Sequence, residues 1–174
     1  TGMSERVFER ADQRHGEHYS LHVNGLDHEV AGEWLGESLL YVLRERLGLY
    51  GAKGACEQGE CGSCSVLVDG ALVCSCLVLA ASAVGLPIVT IEGINPDDGS
   101  LTPVQQAMID ESGTQCGFCT VGFVMSLTGF CVDDTAKTSE MAVSAIDGNI
   151  CRCTGYKSIE RAAEALSRQL AEGS

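Results

Sequence analysis

The spacing of the cysteines constrains this chain more than any other feature of its sequence. Ten cysteines occur among 174 residues, and Cys56, Cys61 and Cys64 form a C-x4-C-x2-C run. Eleven residues separate Cys64 from Cys76. A triplet with one distant partner is the plant-type spacing of a [2Fe–2S] cluster, whereas zinc usually takes its sulfur ligands as two short pairs. The spacing therefore favours an iron–sulfur site over a zinc site or four free thiols.

A second group of four cysteines lies in the second half of the chain. Cys116 and Cys119 form a C-x2-C pair, and Cys151 and Cys153 form a C-x-C pair. Two short pairs suit either tetrahedral zinc or a second [2Fe–2S] cluster, so the spacing alone leaves both open. A disulfide between Cys151 and Cys153 would close a strained small ring, which makes that alternative weak.

Charge and hydropathy exclude several classes of protein. The formal net charge is −13, and so acidic a surface repels the phosphates of nucleic acids. The longest apolar stretch, residues 77–89, is interrupted and shorter than the roughly 20 residues of a membrane helix. Residues 1–19 are charged and lack the apolar core of a signal peptide. We therefore expect a cytoplasmic chain without a membrane span, whose reduced thiols bind metal.

The first half of the chain has the pattern of a small sheet packed on one helix. Asn24-Gly25 and Asp69-Gly70 each separate two β-patterned runs, and these dipeptides tolerate the positive φ angles of tight hairpin turns. Leucines at helical spacing over residues 35–47 predict an amphipathic helix that Ser38 caps. A further strand is predicted over residues 88–91.

The second half has a helical pattern throughout. Thr102-Pro103 opens a helix with a cap and a first-turn proline. Apolar residues then follow helical spacing over residues 104–109, 121–127, 141–146 and 159–170. The predicted organisation is a flexible charged lead, a sheet domain, a linker and a helical domain, over residues 1–18, 19–93, 94–101 and 102–174 respectively.

Three runs of residues carry a resemblance to a known family. They read C-E-Q-G-E-C-G-S-C over residues 56–64, Q-C-G-F-C-T over 115–120 and N-I-C-R-C-T-G-Y over 149–156. Together they resemble the small iron–sulfur subunit of the molybdenum hydroxylases, the xanthine dehydrogenase family. The resemblance implies an α+β protein in which a β-grasp, ferredoxin-like domain precedes an all-α four-helix-bundle domain. It also implies a [2Fe–2S] cluster rather than zinc in the second domain.

The resemblance assigns roles to individual residues. It implies that one cluster, nearer the flavin, is held by Cys56, Cys61, Cys64 and Cys76. It implies that the other, nearer the molybdenum cofactor, is held by Cys116, Cys119, Cys151 and Cys153. Gln115 and Cys153 match positions that contact the molybdopterin. Without the family, Gln115 is more simply a local hydrogen-bonding residue before a turn.

The resemblance also implies a function in a multi-subunit complex. The chain is expected to relay single electrons from molybdopterin on a large subunit to FAD on a medium subunit or domain, or to another acceptor. It is expected to supply no catalytic acid, base or nucleophile. Xanthine is the expected substrate class from its frequency in the family, with aldehydes, carbon monoxide and N-heterocycles as alternatives. An alternative of another class is a zinc-stapled binding module.

Two cysteines are predicted to bind no cluster. A two-residue turn at Asp69-Gly70 pairs Ser65 with Cys74, which places Cys74 inside the ladder and on the face opposite Cys64. Cys131 follows an apolar helical run, belongs to no motif and is expected to pack as a small buried hydrophobe.

Overall fold

The computed structural model describes residues 18–31, 35–133 and 137–172. The lead predicted over residues 1–18 lies outside the described residues except for His18. The described chain forms a sheet followed by helices, which agrees with the α+β class expected from the sequence.

Five short strands form one mixed sheet. They are β1 (His18–Val23), β2 (Leu26–Ala31), β3 (Ser65–Val68), β4 (Ala71–Cys74) and β5 (Pro87–Val89). Their order across the sheet is β2-β1-β5-β3-β4, with β1 and β5 parallel and the other neighbours antiparallel. The last strand in the sequence therefore lies in the middle and joins the two hairpins.

Both hairpins turn at the predicted dipeptides. The φ angles are 52° and 79° at Asn24-Gly25 and 50° and 77° at Asp69-Gly70. Positive φ at both central residues gives the turn whose twist matches that of the flanking strands. The second hairpin has the predicted register, with Ser65 opposite Cys74.

A short helix between β2 and β3 packs on the sheet. α1 (Leu39–Tyr41) begins directly after Ser38, the predicted cap, and continues as a π-helical turn, Val42–Arg46. The Ser38 backbone is extended, and its hydroxyl accepts a hydrogen bond from the Tyr41 N–H, which fixes the start of the helix as predicted. Ser38 also pairs with Leu79 in an isolated bridge. Helix and sheet share one buried cluster, whose fully buried members include Leu21, Val23, Leu39, Val42, Leu43 and Val66.

The final strand is shorter than the predicted run over residues 88–91, because β5 ends at Val89. The Thr90 N–H donates to Asn24 Oδ1 over 2.9 Å, and Asn24 Nδ2 donates to Thr90 Oγ1 over 2.9 Å. These bonds take the Thr90 N–H away from the ladder, and a 3-10 turn, Ile91–Gly93, follows.

After residue 101, the described residues contain four helices, α2 (Pro103–Asp110), α3 (Thr120–Val132), α4 (Ser139–Ser144) and α5 (Lys157–Glu172). Thr102 and Gln105 form a capping box at the start of α2, where the sequence predicts a cap. The helix predicted over residues 141–146 begins two residues earlier, because Thr138 caps it. α5 packs against α2 and α4. Fully buried residues of this cluster include Phe123, Leu127, Ile159, Ala162 and Leu166.

The helices also contact the sheet. α3 packs against β3 and β4, and Gly129 on α3 faces Leu67 and Leu72. Residues 95–101, within the predicted linker, are exposed. Within the described chain, no helix combines the length and the hydropathy needed to cross a bilayer.

Candidate metal centres

The first cysteine group lies on the loop that leads into β3. The backbone of this loop takes left-handed conformations at Glu57, Gly59 and Gly62, with φ angles of 54°, 79° and 67°. A methyl group on Gly59 would collide with the Leu77 side chain, which lies just beyond Cys76. Glycine is therefore required for the loop to fold against the segment that follows β4.

Thiols of this first group contact each other in pairs. The Cys56 thiol contacts that of Cys61, and the Cys76 thiol contacts that of Cys64. The N–H groups of Gln58 and Glu60 point at Cys56 Sγ over 3.5 and 3.4 Å. The Gln58 N–H, with the Cys61 thiol and the Glu60 N–H, lowers the Cys56 pKa to about 7.

The pKa values of the two cysteines after β3 move upward. Burial, followed by the Cys64 thiol, raises the pKa of Cys76 to about 12. Burial also raises the pKa of Cys74, again with Cys64 as the next cause. The electrostatic environment of the thiols therefore differs across the group, since donors favour the Cys56 thiolate and burial disfavours those of Cys74 and Cys76.

The expected separation of Cys74 from this group is wrong. The register is as predicted, but the Cys74 thiol contacts Cys64 and lies 3.7 Å from the carbonyl oxygen of Gly59, to which it donates. β4 ends at Cys74, and the cysteine loop folds over this end of the ladder, so strand alternation no longer decides which residues meet. Five thiols border the first site, and the choice of the fourth ligand lies between Cys74 and Cys76.

The second cysteine group joins the start of α3 to the loop before α5. Cys116 Sγ lies 3.5 Å from Cys153 Sγ, and both residues are exposed. Cys119, at the N-cap of α3, contacts Cys151, and both are buried. The thiols of this group therefore also meet in two pairs, one at the surface and one beneath it.

Thr154 is the main hydrogen-bond donor to the buried pair. Its hydroxyl and its backbone N–H lie 3.2 and 3.4 Å from Cys151 Sγ. Burial opposes ionisation of Cys151, but the Thr154 hydroxyl and N–H, together with the Cys153 N–H and the Cys119 thiol, outweigh it and lower the Cys151 pKa to about 7. Burial, followed by contact with Cys151, raises the pKa of Cys119 to about 12.

Tyr156 supports the same loop. Its hydroxyl oxygen accepts a 2.9 Å hydrogen bond from the Cys151 N–H, and its ring packs edge-on against Phe123 with centroids 6.4 Å apart. The spacing of the cysteines predicts no role for Thr154 or Tyr156. Their place in the T-G-Y run directly after C-R-C was the available signal, but the contacts themselves depend on how this loop folds back.

The two cysteine groups are joined by a backbone hydrogen bond. The Ile150 N–H donates to the carbonyl oxygen of Cys61 over 3.0 Å. Ile150 directly precedes Cys151 in the chain. The hydrogen bond therefore links Cys61 of the first group to the residue next to Cys151 of the second group. The fold thus brings together loops that are about ninety residues apart in the sequence.

The donor set fits two [2Fe–2S] clusters. A [2Fe–2S] cluster has two irons, each with two thiolate ligands, and each cysteine group offers two contacting pairs. The N–H and hydroxyl donors at Cys56 and Cys151 suit the negative charge of thiolate ligands.

Gln115 and Cys153 are both exposed at the surface of the second cysteine group. Cys153 contacts Cys116, which directly follows Gln115 in the sequence. Both side chains are therefore open to a molecule outside this chain.

Comparisons with known proteins agree with this arrangement. Residues 21–83 match the 2Fe-2S iron-sulfur cluster binding domain family, and residues 90–164 match the [2Fe-2S] binding domain family. The chain is 44% identical to the nicotine 6-hydroxylase small subunit of Paenarthrobacter nicotinovorans, over 82% of this chain and 84% of that protein. It is 44% identical to the xanthine dehydrogenase iron-sulfur-binding subunit of Escherichia coli O157:H7, over 79% and 86% respectively.

The structural comparison gives the same result. The crystal structure of quinoline 2-oxidoreductase from Pseudomonas putida 86 contains a chain that superposes with a TM-score of 0.81 at 35% identity. The match covers 91% of this chain and 98% of that chain.

The two family matches, together with the fold and the paired thiols, define a protein with two [2Fe–2S] domains. The chain belongs to the iron–sulfur subunits of the molybdenum hydroxylase, or xanthine dehydrogenase, family. It therefore binds two [2Fe–2S] clusters, one in each matched region, and the zinc alternative for the second group is wrong.

Proposed function

We propose that this chain is an electron-transfer subunit that relays single electrons between a molybdopterin-binding large subunit and an FAD-binding medium subunit or domain. The observation that carries the proposal is the 3.0 Å hydrogen bond from the Ile150 N–H to the Cys61 carbonyl oxygen. When bound, a [2Fe–2S] cluster takes up and gives back one electron with little rearrangement.

The contacting pairs support a specific ligand assignment. Cys56 and Cys61 would hold one iron of the first cluster, and Cys64 and Cys76 the other. For the second cluster, the surface pair of Cys116 and Cys153 would hold one iron, and the buried pair of Cys119 and Cys151 would hold the other. The donors around each pair offset the charge of the thiolates.

The short connection between the two ligand sets supports the relay. From Cys61 Sγ, covalent bonds lead to the Cys61 carbonyl, one hydrogen bond leads to Ile150, and covalent bonds lead on to Cys151 Sγ. A path with a single hydrogen bond and otherwise covalent bonds couples two centres better than a path that crosses through-space gaps. The chain's own backbone would therefore provide the connection.

The exposed surface at the second group supports the assignment of partners. Phe118 and Ile150 are apolar and 45% and 54% exposed, and they lie within three residues of the exposed Cys116 and Cys153 in the sequence. Apolar side chains around a site of this kind suit burial against another subunit. We assign this surface to the molybdopterin subunit, with Gln115 and Cys153 as the contacts to the pterin, and the first cysteine loop to the flavin subunit.

The proposal also divides the chain into two domains. We assign residues 19–93 to a β-grasp, ferredoxin-like domain and residues 102–174 to a four-helix-bundle domain, with residues 94–101 as the linker. The flavin-side and molybdopterin-side surfaces would then belong to different domains.

For the substrate we propose a nitrogen heterocycle of the class that includes xanthine. The three relatives described above are named for nicotine, xanthine and quinoline, all of which contain a ring nitrogen, whereas other relatives, such as the aldehyde oxidoreductase of Megalodesulfovibrio gigas at 43% identity, are named for aldehydes. This chain is 44% identical to both the nicotine and the xanthine relative. The difference between these substrates would therefore be determined by the large subunit, which would also provide the residues for hydroxylation.

The test is reduction of the clusters by substrate in the purified complex. Under anaerobic conditions, xanthine or another N-heterocycle should reduce both clusters, seen as loss of visible absorbance and as new EPR signals. Aldehydes and carbon monoxide serve as comparison substrates. Turnover with an artificial acceptor that reacts directly at molybdenum, while both clusters stay oxidised, would contradict the relay.

A further inference from the structure

The two cysteine loops touch where two glycines face each other. Gly62 lies in the first loop with a φ angle of 67°, and Gly122 lies in the first turn of α3. A methyl group on Gly122 would collide with the carbonyl oxygen of Gly62, and one on Gly62 would collide with the side-chain amide of Asn149. The loops are therefore as close as their backbones allow, and any side chain at either glycine would separate them.

The side chain of Asn149 fills the corner between these glycines. Asn149 is only 5% exposed, and its Oδ1 accepts a 2.8 Å hydrogen bond from the Ser126 hydroxyl, which is also buried on α3. With Oδ1 accepting from the Ser126 hydroxyl, Nδ2 is the end that faces Gly62 and Gly122. Buried polar groups with a defined partner hold a single arrangement.

The backbone of Asn149 is fixed as well. Its N–H donates to the Ile146 carbonyl oxygen over 3.0 Å, and the next residue, Ile150, makes the hydrogen bond to Cys61. We propose that Asn149 is a positioning residue for electron transfer, because it fixes the separation between the loop that carries Cys61 and the loop that carries Cys151. The inference deepens the proposed function and rests on it.

The expected consequence follows from the distance dependence of electron transfer. Transfer through protein weakens steeply as centres separate or as a bonded path is broken. Removing the Asn149 side chain would leave all eight proposed ligands in place but would loosen the contact of Gly62 with α3. The magnetic interaction between two reduced clusters also depends on their separation, which gives a readout independent of turnover.

The experiment compares Asn149→Ala with two other variants in the purified, cluster-loaded complex. Ser126→Ala removes only the hydrogen bond that orients the amide, and Asn95→Ala removes an exposed amide from the predicted linker. Iron and sulfide content, the two reduction potentials, the spin–spin interaction in EPR and the rate of electron redistribution after flash photoreduction are measured for each.

We expect Asn149→Ala to keep both clusters and both potentials, to change the spin–spin interaction and to slow redistribution by about tenfold or more. Ser126→Ala should show a smaller change in the same direction, and Asn95→Ala should behave as the unsubstituted complex. Full cluster content with unchanged interaction and rate in Asn149→Ala would overturn the proposal. If Asn149→Ala loses a cluster, the proposal is tested on Ser126→Ala instead. An unchanged spin–spin interaction and an unchanged redistribution rate in that variant would then overturn it.

Photoreduction separates this test from that of the proposed function. Failure of substrate to reduce the clusters of the unsubstituted complex would count against the relay. It would leave the photoreduction comparison between variants intact.

Discussion

The Cys61 carbonyl oxygen accepts a 3.0 Å hydrogen bond from the Ile150 N–H, and this bond connects the two cysteine loops next to a thiol of each group. The close approach that it needs depends on glycine at residues 62 and 122. Secondary structure alone would not bring these loops together. The contact between the loops is therefore a tertiary feature on which the proposed electron relay depends.

Substitution of Gly122 should disturb this contact. In Gly122→Ala the new methyl group would collide with the Gly62 carbonyl, and overpacking of this kind costs about 1–3 kcal/mol. We expect calorimetry to show a lower thermal unfolding temperature for the cluster-loaded chain. Gly148→Ala is the matched control, because no atom lies within 4 Å of a methyl group there. Equal unfolding temperatures for the two variants would show that the loops can separate without cost.

Thr154 should tune the potential of the second cluster. Thr154→Val keeps the shape of the side chain but removes the hydroxyl that lies 3.2 Å from Cys151 Sγ. A hydrogen bond to a ligand sulfur stabilises the more negative, reduced state, so its loss should lower the reduction potential of this cluster. A bond worth about 1 kcal/mol corresponds to about 40 mV for one electron.

The potential is measured by EPR-monitored redox titration of both clusters. Thr128→Val is the control, because the Thr128 hydroxyl donates to the Val124 carbonyl within α3 and not to a thiol. A potential for the second cluster that is the same in Thr154→Val and Thr128→Val would rule out the tuning role.

Cys76, rather than Cys74, should be the fourth ligand of the first cluster. Cys76→Ser should lose or strongly perturb the signal of this cluster, whereas Cys74→Ser should retain it. Both thiols contact Cys64, so the structure makes the comparison stringent. Cys131→Ser, in a residue that packs against the core of the helices, should retain both signals. The reverse result for Cys74 and Cys76 would transfer the ligand assignment to Cys74.

The cap of α2 should contribute measurably to stability. Thr102→Ala removes the oxygen that accepts from the Gln105 N–H, a loss of about 1 kcal/mol at a typical N-cap. For a chain of this size the unfolding temperature should fall by about 2–4 °C. Thr102→Ser, which keeps the oxygen, should restore it. A fall of equal size in both variants would mean that the methyl group matters and the cap does not.

Local signals in the sequence predict much of this fold. Asn24-Gly25 and Asp69-Gly70 determine their turns because few other residues take positive φ, and the pairing register follows from the turn. Thr102 likewise marks the start of α2. These features depend on residues within a few positions of each other, which is why the sequence is sufficient to find them.

Features that depend on distant residues are not predictable in this way. The end of β5 is set by the bonds between Thr90 and Asn24. The contact of Cys74 with the first cysteine group arises where the loop folds over the end of β4. No local pattern marks any of these contacts.

For the site, spacing and resemblance identify the cysteines but not their partners. Contact of the thiols in pairs, the donors on Thr154 and the packing of Asn149 between two glycines all depend on segments far apart in the sequence. They require the folded arrangement of both halves of the chain.

This chain carries two [2Fe–2S] clusters, and we propose that each is held by one of the two cysteine groups. The most direct measurement is spin integration of the fully reduced, purified complex by EPR, combined with iron and acid-labile sulfide analysis. We predict two distinguishable signals that integrate to about two spins per chain, with about four iron and four sulfide. A single signal of one spin per chain, or stoichiometric zinc without acid-labile sulfide, would contradict the account.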